Sequence, residues 1–385
     1  MRRLLVIAST MILFDVAFYS AIAPLLPDYV DQLGLSKAEA GILSAAYAAG
    51  TLLASLPAGL LASRAGPRRT VLAGLTLLGF SSLVFGFAGD IVLLDVARFS
   101  QGVAGALVWS GALTWLITAS PPERRGRVIG TALGTAVAGA LIGPALGALA
   151  AEVGTEVVFS AVLGISAGFA ALVWRTPESA PPERQTLAET AAAIVTRPVL
   201  TATAFVAVPS LMFGAIEVLV PLRIDDLDGG HAVIAGAFIV GAAIEAGLAP
   251  LSGRYSDRVG RRTPFVSGLA VAALGMLGIA VAQGVGVVVA GLLVASFGAG
   301  LCFAPALTML TETTESGTLQ EGLAAGLSNM AWASGQVIGG LVGGAAAGVA
   351  GYAAPSIAVA AVLVFTAAYA LRRELPGEVA RAAPG

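Results

Sequence analysis

The chain has 385 residues, of which 57% are apolar and only 11% charged, with a formal net charge of −2. A soluble domain carries roughly 25% charged residues, so this chain has too few to cover a water-facing surface. Its apolar content, with a mean hydropathy of +0.90, equally excludes a disordered chain. A single cysteine (Cys302) and a single histidine (His231) exclude an intramolecular disulfide, a thiolate metal cluster and a His-based zinc site. No cofactor is therefore expected. No basic stripe interleaved with aromatics points to nucleic acid. A phosphate-binding loop is missing and the lone lysine is Lys37, which argues against direct ATP drive. With one histidine, no credible nucleophile–base pair is available for an enzyme.

Met1-Arg2-Arg3 leads into about twenty apolar residues, long enough for a spanning helix rather than a signal-peptide core. Twelve such stretches follow one another, at 4–26, 41–62, 71–88, 91–118, 128–150, 156–174, 199–221, 232–252, 264–282, 286–310, 322–348 and 353–371. The turns between the third and fourth and between the ninth and tenth fall on Gly89-Asp90 and Gln283-Gly284. With the N-terminus inside, the inner segments hold 18 of the 21 basic residues, and the outer ones only Lys37 and Arg223. That asymmetry fixes the orientation. One inner loop, 311–321, departs from it, carrying Glu312, Glu315 and Glu321 without a base.

The longest polar connection, 175–198, holds Pro177, Pro181, Pro182 and Pro198 and divides the chain into two sets of six spans. A repeat supports the division. Gly59-Leu-Leu-Ala-Ser-Arg-Ala-Gly66-Pro-Arg-Arg follows the second span, and Gly253-Arg-Tyr-Ser-Asp-Arg-Val-Gly260-Arg-Arg follows the eighth, 194 residues later. The expected fold is an all-α integral membrane protein of 12 transmembrane helices in two pseudo-symmetric six-helix bundles, 1–174 and 199–385. A cytoplasmic linker, 175–198, joins them, and both termini are cytoplasmic. Such halves are a transporter plan.

Three motifs make the sequence resemble the major facilitator superfamily over essentially its whole length. Gly253-x-x-x-Asp257-Arg258-x-Gly260-Arg261-Arg262 is similar to that family's loop motif, with a degenerate copy from Gly59 through Arg64 and Gly66 to Arg69. Arg98-Phe-Ser-Gln101-Gly102 resembles its fourth-helix motif. Gly139-x-x-x-Gly143-Pro144-x-x-Gly147 resembles the fifth-helix signature of its exchangers and implies antiport. Ser63 stands where the first loop copy usually has an acid, so a gating acid would have to be Asp257. Phe14-Asp15…Tyr19…Pro24…Pro27 and Phe213…Glu217…Pro221 are similar to the first and seventh helices of vesicular monoamine transporters and related multidrug exchangers. That resemblance places a cationic amine on Asp15.

Charges inside spans are costly, about 2.5–3.5 kcal/mol each, and persist where they face a cavity or a partner. Four lie well inside: Asp15, Arg98, Glu217 and Glu245. Asp15 lies about 16 Å along its helix, near the midplane. It reads as an ammonium or proton site, or as the partner of Arg98 in a structural pair. Arg98 can pair locally with Asp95 or lock the bundle as an ion pair, whereas the resemblance implies that it tunes a neighbouring carboxylate. Glu217 and Glu245 are protonatable acids facing a cavity, or an interface residue and a neutral acid sealed among small neighbours, respectively. Tyr19, Gln101, Trp109, Phe213, Asn329, Trp332 and Gln336 are polar or aromatic cavity candidates. Asn329, Trp332 and Gln336 share one helix face. Gly253, Asp257, Arg258, Gly260 and Arg261 form either a gate or plain inner-side charge. Gly143 and Pro144 either limit leak or only allow close packing. His231, among outer aspartates, reads as solvated.

The leading expectation is a proton-coupled antiporter that exports amphipathic, cationic small molecules by alternating access, as a monomer in the cell membrane. Its partners are the small-molecule substrate, protons and the bilayer. The alternative is an exporter of a neutral or anionic metabolite such as a sugar or amino acid. A membrane-embedded sensor that transports nothing is a third reading, disfavoured because no soluble domain is appended.

Overall fold

The protein was analysed as a computed structural model, which describes residues 2–178, 194–315, 321–373 and 375. Most of the expected linker, with Pro181, Pro182 and Arg184, lies outside the described residues, as does Arg381. The described residues form helices and no strand. They are α1 (Arg2–Ser20), α2 (Ile22–Leu33), α3 (Lys37–Ala65), α4 (Pro67–Phe87), α5 (Ile91–Thr118), α6 (Pro122–Val153) and α7 (Thr155–Trp174), followed by α8 (Arg197–Asp225), α9 (His231–Val259), α10 (Arg262–Ala280), α11 (Val285–Glu315), α12 (Glu321–Ala350) and α13 (Ala353–Arg372). Taking α1 with α2, twelve segments among the described residues are long and apolar enough to cross a membrane. Large apolar side chains such as Phe80, Phe87, Trp174, Val349 and Phe365 are exposed, as suits a lipid-facing surface.

Most helices outrun the apolar stretches that announced them, because a helix continues into the headgroup region where polar residues are tolerated. The first span differs in kind. It runs to Leu33 and breaks at Ala21. Pro24 has no N–H to give the Ser20 carbonyl, and Pro27 none for Ala23, so the ladder fails just where α1 meets α2. The expected Gly89-Asp90 turn is present: Asp90 accepts from the Leu93 amide at 2.9 Å and caps α5.

The helices fall into two compact units. The first comprises α1, α2, α3 from Ile42 onward, α4 to α7, and α12 as far as Met330. The second comprises residues 35–41, α8 to α11, α12 from Ala331, and α13. In the first unit Met11, Ile12, Val71, Leu75, Trp115 and Leu116 form a buried core between α1, α4 and α5. A run of ring contacts, Phe14–Phe18 at 4.8 Å, Phe18–Phe159 at 5.8 Å and Phe159–Phe85 at 4.8 Å, ties α1 to α7 and α4. In the second unit Phe205 meets Phe265 at 4.8 Å and Tyr369 at 6.4 Å, joining α8 to α10 and α13.

The loop repeat has a conformational reason. Gly66 and Gly260 end α3 and α9 with φ of +93° and +87°, a region that L side chains avoid. A second repeat links the units. On α6, methyls at Gly139 and Gly147 would run into the carbonyls of Leu13 and Ala21, and one at Gly143 would lie 2.5 Å from Ala17 O. On α12, a methyl at Gly335 would lie 2.7 Å from Leu211 N, one at Gly339 2.8 Å from Ala215 N, and one at Gly343 3.4 Å from Ala215 Cα. The two ridges are 196 residues apart. Each seats its helix on the backbone of the first helix of its own unit, as small residues do in membranes.

Adding a methyl where backbone already fills the space forces the helices apart, at about 1–3 kcal/mol. Gly143→Ala and Gly339→Ala therefore each lower the thermal unfolding midpoint in detergent. Gly164→Ala, where nothing lies within 4 Å, leaves it unchanged or higher. Equal midpoints for all three would refute the seam assignment.

Candidate functional site

Among the described residues of the first unit, Asp15 is a carboxyl buried in the interior. Asp15, on α1, is 1% exposed. Its Oδ2 accepts from Tyr47 Oη of α3 at 2.9 Å and from Trp109 Nε1 of α5 at 3.0 Å. Its Oδ1 is buried and has no hydrogen-bond partner among the described residues. Gly105 makes room beside that oxygen, because a methyl there would lie 3.0 Å from it. The placement follows from helical spacing. Gly105 and Trp109 are one turn apart on α5, and Asp15 and Tyr19 one turn apart on α1. Tyr19 meets the Tyr47 ring at 4.7 Å. Close approach of α3 depends on Gly102, whose carbonyl accepts from Thr51 Oγ1 at 3.1 Å.

Two turns before Gly105, the same face of α5 carries Arg98, 1% exposed. Its Nη2 donates to Tyr19 O at 2.9 Å, and Nη1 to Gln101 Oε1 at 3.1 Å and, at 3.5 Å, to Phe18 O. The Phe18 and Tyr19 carbonyls stand at the break between α1 and α2, so the guanidinium caps the end of α1. Gln101 Nε2 in turn donates to Ser82 Oγ at 3.1 Å. The guanidinium carbon lies 5.2 Å from the centre of the Tyr47 ring and 5.8 Å from that of Tyr19, within cation–π range. Tyr47 thus has its ring toward the fixed cation and its hydroxyl on the acid. Sequence reasoning named Asp15, Tyr19, Arg98, Gln101 and Trp109, and the structure brings them together. It missed Tyr47, a neutral aromatic in an apolar run, whose only signal was a phenol inside a span.

The remaining intramembrane residues lie elsewhere. Glu217 and Phe213 are half-buried on α8, with Phe213 edge-on to Phe303 at 6.2 Å. Glu245, on α9, lies beside Ser296 of α11. There the two helices are close, since a methyl at Gly300 would lie 3.2 Å from Glu245 Cα. Along α12, Asn329 and Trp332 are half-buried and Gln336 is buried. Asn329 falls within the first unit, Trp332 and Gln336 within the second.

At the loop motif, Gly253, Asp257 and Arg258 occupy the last two turns of α9, with Asp257 and Arg258 exposed. Arg261 is buried and ion-pairs with Glu312 near the end of α11. Arg262 Nη2 donates to Arg373 O at 3.0 Å. The acid that Arg261 pairs with is therefore Glu312, which lies on α11, since that helix runs to Glu315 where the sequence predicts a loop from 311; residues 316–320 lie outside the described residues. In the first copy Arg64 is exposed and Gly66 buried, while Arg68 stands over the Trp174 ring at 5.2 Å. Gly143 and Pro144 are buried in α6.

A phenol donates more strongly to a carboxylate than to a neutral carboxyl. Tyr47→Phe should cost about 1.5–3 kcal/mol of stability while Asp15 is ionised and about 1 kcal/mol once it is protonated. The stability deficit of the variant should therefore shrink as pH falls. Thermal unfolding of both proteins across pH checks this, and a deficit that does not change with pH would contradict it.

Comparison with known proteins agrees with this fold. The sequence profile of the Major Facilitator Superfamily matches residues 7–320 and 233–384. The MFS-type transporter ppzB of Metarhizium rileyi is 33% identical over 122 residues, 30% of this chain and 25% of that protein. Quinolone resistance protein NorA of Staphylococcus aureus is 28% identical over 109 residues, 28% of each chain. The aligned stretch thus spans only 25–28% of the length of these two relatives. Among solved structures, a bacterial homolog to the human lysosomal transporter Spinster superposes with a TM-score of 0.76 at 13% identity, covering 96% of both chains. The human organic anion transporter MFSD10 gives 0.74 at 16% identity, covering 96% of this chain and 99% of that one. Motifs, helical architecture and profile agree that this multi-pass membrane protein belongs to the major facilitator superfamily.

Proposed function

We propose that the protein is a secondary active transporter of the cell membrane that exports amphipathic organic cations in exchange for protons. The observation that carries this reading is the Asp15 carboxyl. It is buried, holds the Tyr47 and Trp109 donors on one oxygen and keeps the other without a hydrogen-bond partner among the described residues, beside Gly105. A carboxylate with one oxygen unshared can pair with an organic cation. The same oxygen takes a proton equally well. The likeness to the quinolone resistance protein over 28% of the chain supports drug-like substrates.

In this reading substrate and proton compete for one carboxylate. Substrate cation pairs with ionised Asp15 on the inner side and leaves on the outer side, where a proton takes its place. The neutral carboxyl then returns and releases its proton inside. Arg98, Gln101 and Tyr19 hold the break in the first span and keep a fixed cation near the acid. Glu217, Glu245, Phe213, Asn329, Trp332 and Gln336 complete the substrate and proton path in this reading. Gly253, Asp257, Arg258, Gly260 and Arg261, with Arg64 and Gly66, gate the inner side, and the Gly143–Pro144 ridge restrains leak. The bundles 1–174 and 199–385 move about the linker 175–198, and the working unit is a monomer.

One cation exchanged for one proton is driven by the pH difference, about tenfold in concentration ratio per pH unit. Proteoliposomes made acid inside should accumulate a fluorescent organic cation such as ethidium to that extent. A protonophore should abolish the accumulation, and Asp15→Asn should show none. Accumulation that ignores the gradient, or that persists in Asp15→Asn, would sink the reading.

A further inference from the structure

The likeness of the two units extends to single contacts. A methyl at Gly74 would press on Ala104 and Val108, and one at Gly268 on Gly298 and Cys302. Gly139 and Gly143 lie against Leu13 and Ala17, as Gly335 and Gly339 lie against Ala207 and Leu211. Each contacted residue of the second unit stands 194 residues after its counterpart in the first. The same offset carries the surroundings of Asp15 into the second unit. There Pro209 stands for Asp15, Phe213 for Tyr19, Gly241 for Tyr47 and Phe303 for Trp109. Leu292 stands for Arg98. One contact checks this register: Gly102 lies against Tyr47, and its counterpart Ser296 lies against Gly241.

Every one of these polar side chains is thereby replaced by an apolar one or by none. Two rings remain. Phe213 of α8 and Phe303 of α11 are both half-buried and meet edge-on, with centroids 6.2 Å apart. In the first unit the Tyr47 ring lies 4.7 Å from that of Tyr19, whereas Gly241 offers Phe213 no ring. A methyl at Gly241 would lie 2.8 Å from Ser296 Oγ and, among the described residues of other helices, would meet only Ser296 within 4 Å. Room for Ser296 alone would account for a glycine at 241, but not for phenylalanine in place of both Tyr19 and Trp109. We propose that the second unit holds a ligand site of its own for flat, uncharged aromatic groups, walled by Phe213 and Phe303, with Gly241 setting its width. An inserted ring takes the place that the Tyr47 ring fills in the first unit and packs offset or edge-on against the two phenylalanines. That the ligand is the aromatic body of an exported cation rests on the transport reading. The site itself does not.

Purified protein in detergent is dialysed to equilibrium against ethidium, against the ringless cation tetramethylammonium and against uncharged 2-naphthol. Gly241→Leu fills the space, and Phe303→Leu removes a wall without crowding it. Each should lower the ethidium-to-tetramethylammonium affinity ratio about tenfold and weaken 2-naphthol binding to the same extent. Because Gly241→Leu also crowds Ser296 Oγ, it is repeated together with Ser296→Ala, and Phe303→Leu decides if neither form folds. A wild-type ratio and wild-type 2-naphthol binding in these variants overturn the proposal. Wild type that binds 2-naphthol but neither cation defeats the transport reading and leaves the aromatic site standing. Wild type that binds both cations but not 2-naphthol defeats the aromatic site and leaves the transport reading standing.

Discussion

An acid kept inside an apolar bundle dictates much of the surrounding architecture. Moving a charge to the middle of a bilayer costs about 2.5–3.5 kcal/mol or more unless partners replace water. Asp15 has Tyr47 and Trp109 on one oxygen and Arg98 across the Tyr47 ring. Asp15 on α1 draws those partners from α3 and α5, so the three helices must approach closely. Gly102 and Gly105 allow that approach, since a side chain at either would strike Tyr47. The break at Ala21 belongs to the same arrangement, because Arg98 donates to the Phe18 and Tyr19 carbonyls just before it. The polar site and the small-residue packing are therefore two aspects of one solution.

Each unit repeats a common internal plan. In both, a three-glycine ridge seats the fifth helix of the unit on its first, and a positive-φ glycine ends the second. Chemistry does not follow the repeat. The first unit has an acid, a fixed cation and three aromatic residues gathered together, whereas Glu245 of the second lies beside Ser296. A shared scaffold with unlike polar contents is what gene duplication followed by specialisation of one half would leave.

The twelve spans were legible because lipid demands about 20 apolar residues in a row and arginine marks one side. Asp15 and Arg98 were legible because charges inside such runs are rare. Tyr47 was not, since a neutral aromatic in an apolar segment carries no charge signal. Glu312 was visible as an acid in a loop without bases, but its partner Arg261 is 51 residues away, and only tertiary structure joins them. The break at Ala21 was foreshadowed by Pro24 and Pro27, yet hydropathy averages over such punctuation. The ridge from Gly335 to Gly343 was open to inspection at nearly the same offset as the loop motif. It lacks the proline that makes its counterpart at Gly143-Pro144 resemble a known signature.

If Asp15 is where cation and proton exchange, binding one must expel the other, whether or not a membrane is present. The most direct test is proton release from purified protein in weakly buffered detergent solution on addition of ethidium. The account predicts that wild type acidifies the medium in proportion to cation bound and that Asp15→Asn releases nothing. Binding by wild type without proton release, or undiminished release from Asp15→Asn, would contradict it.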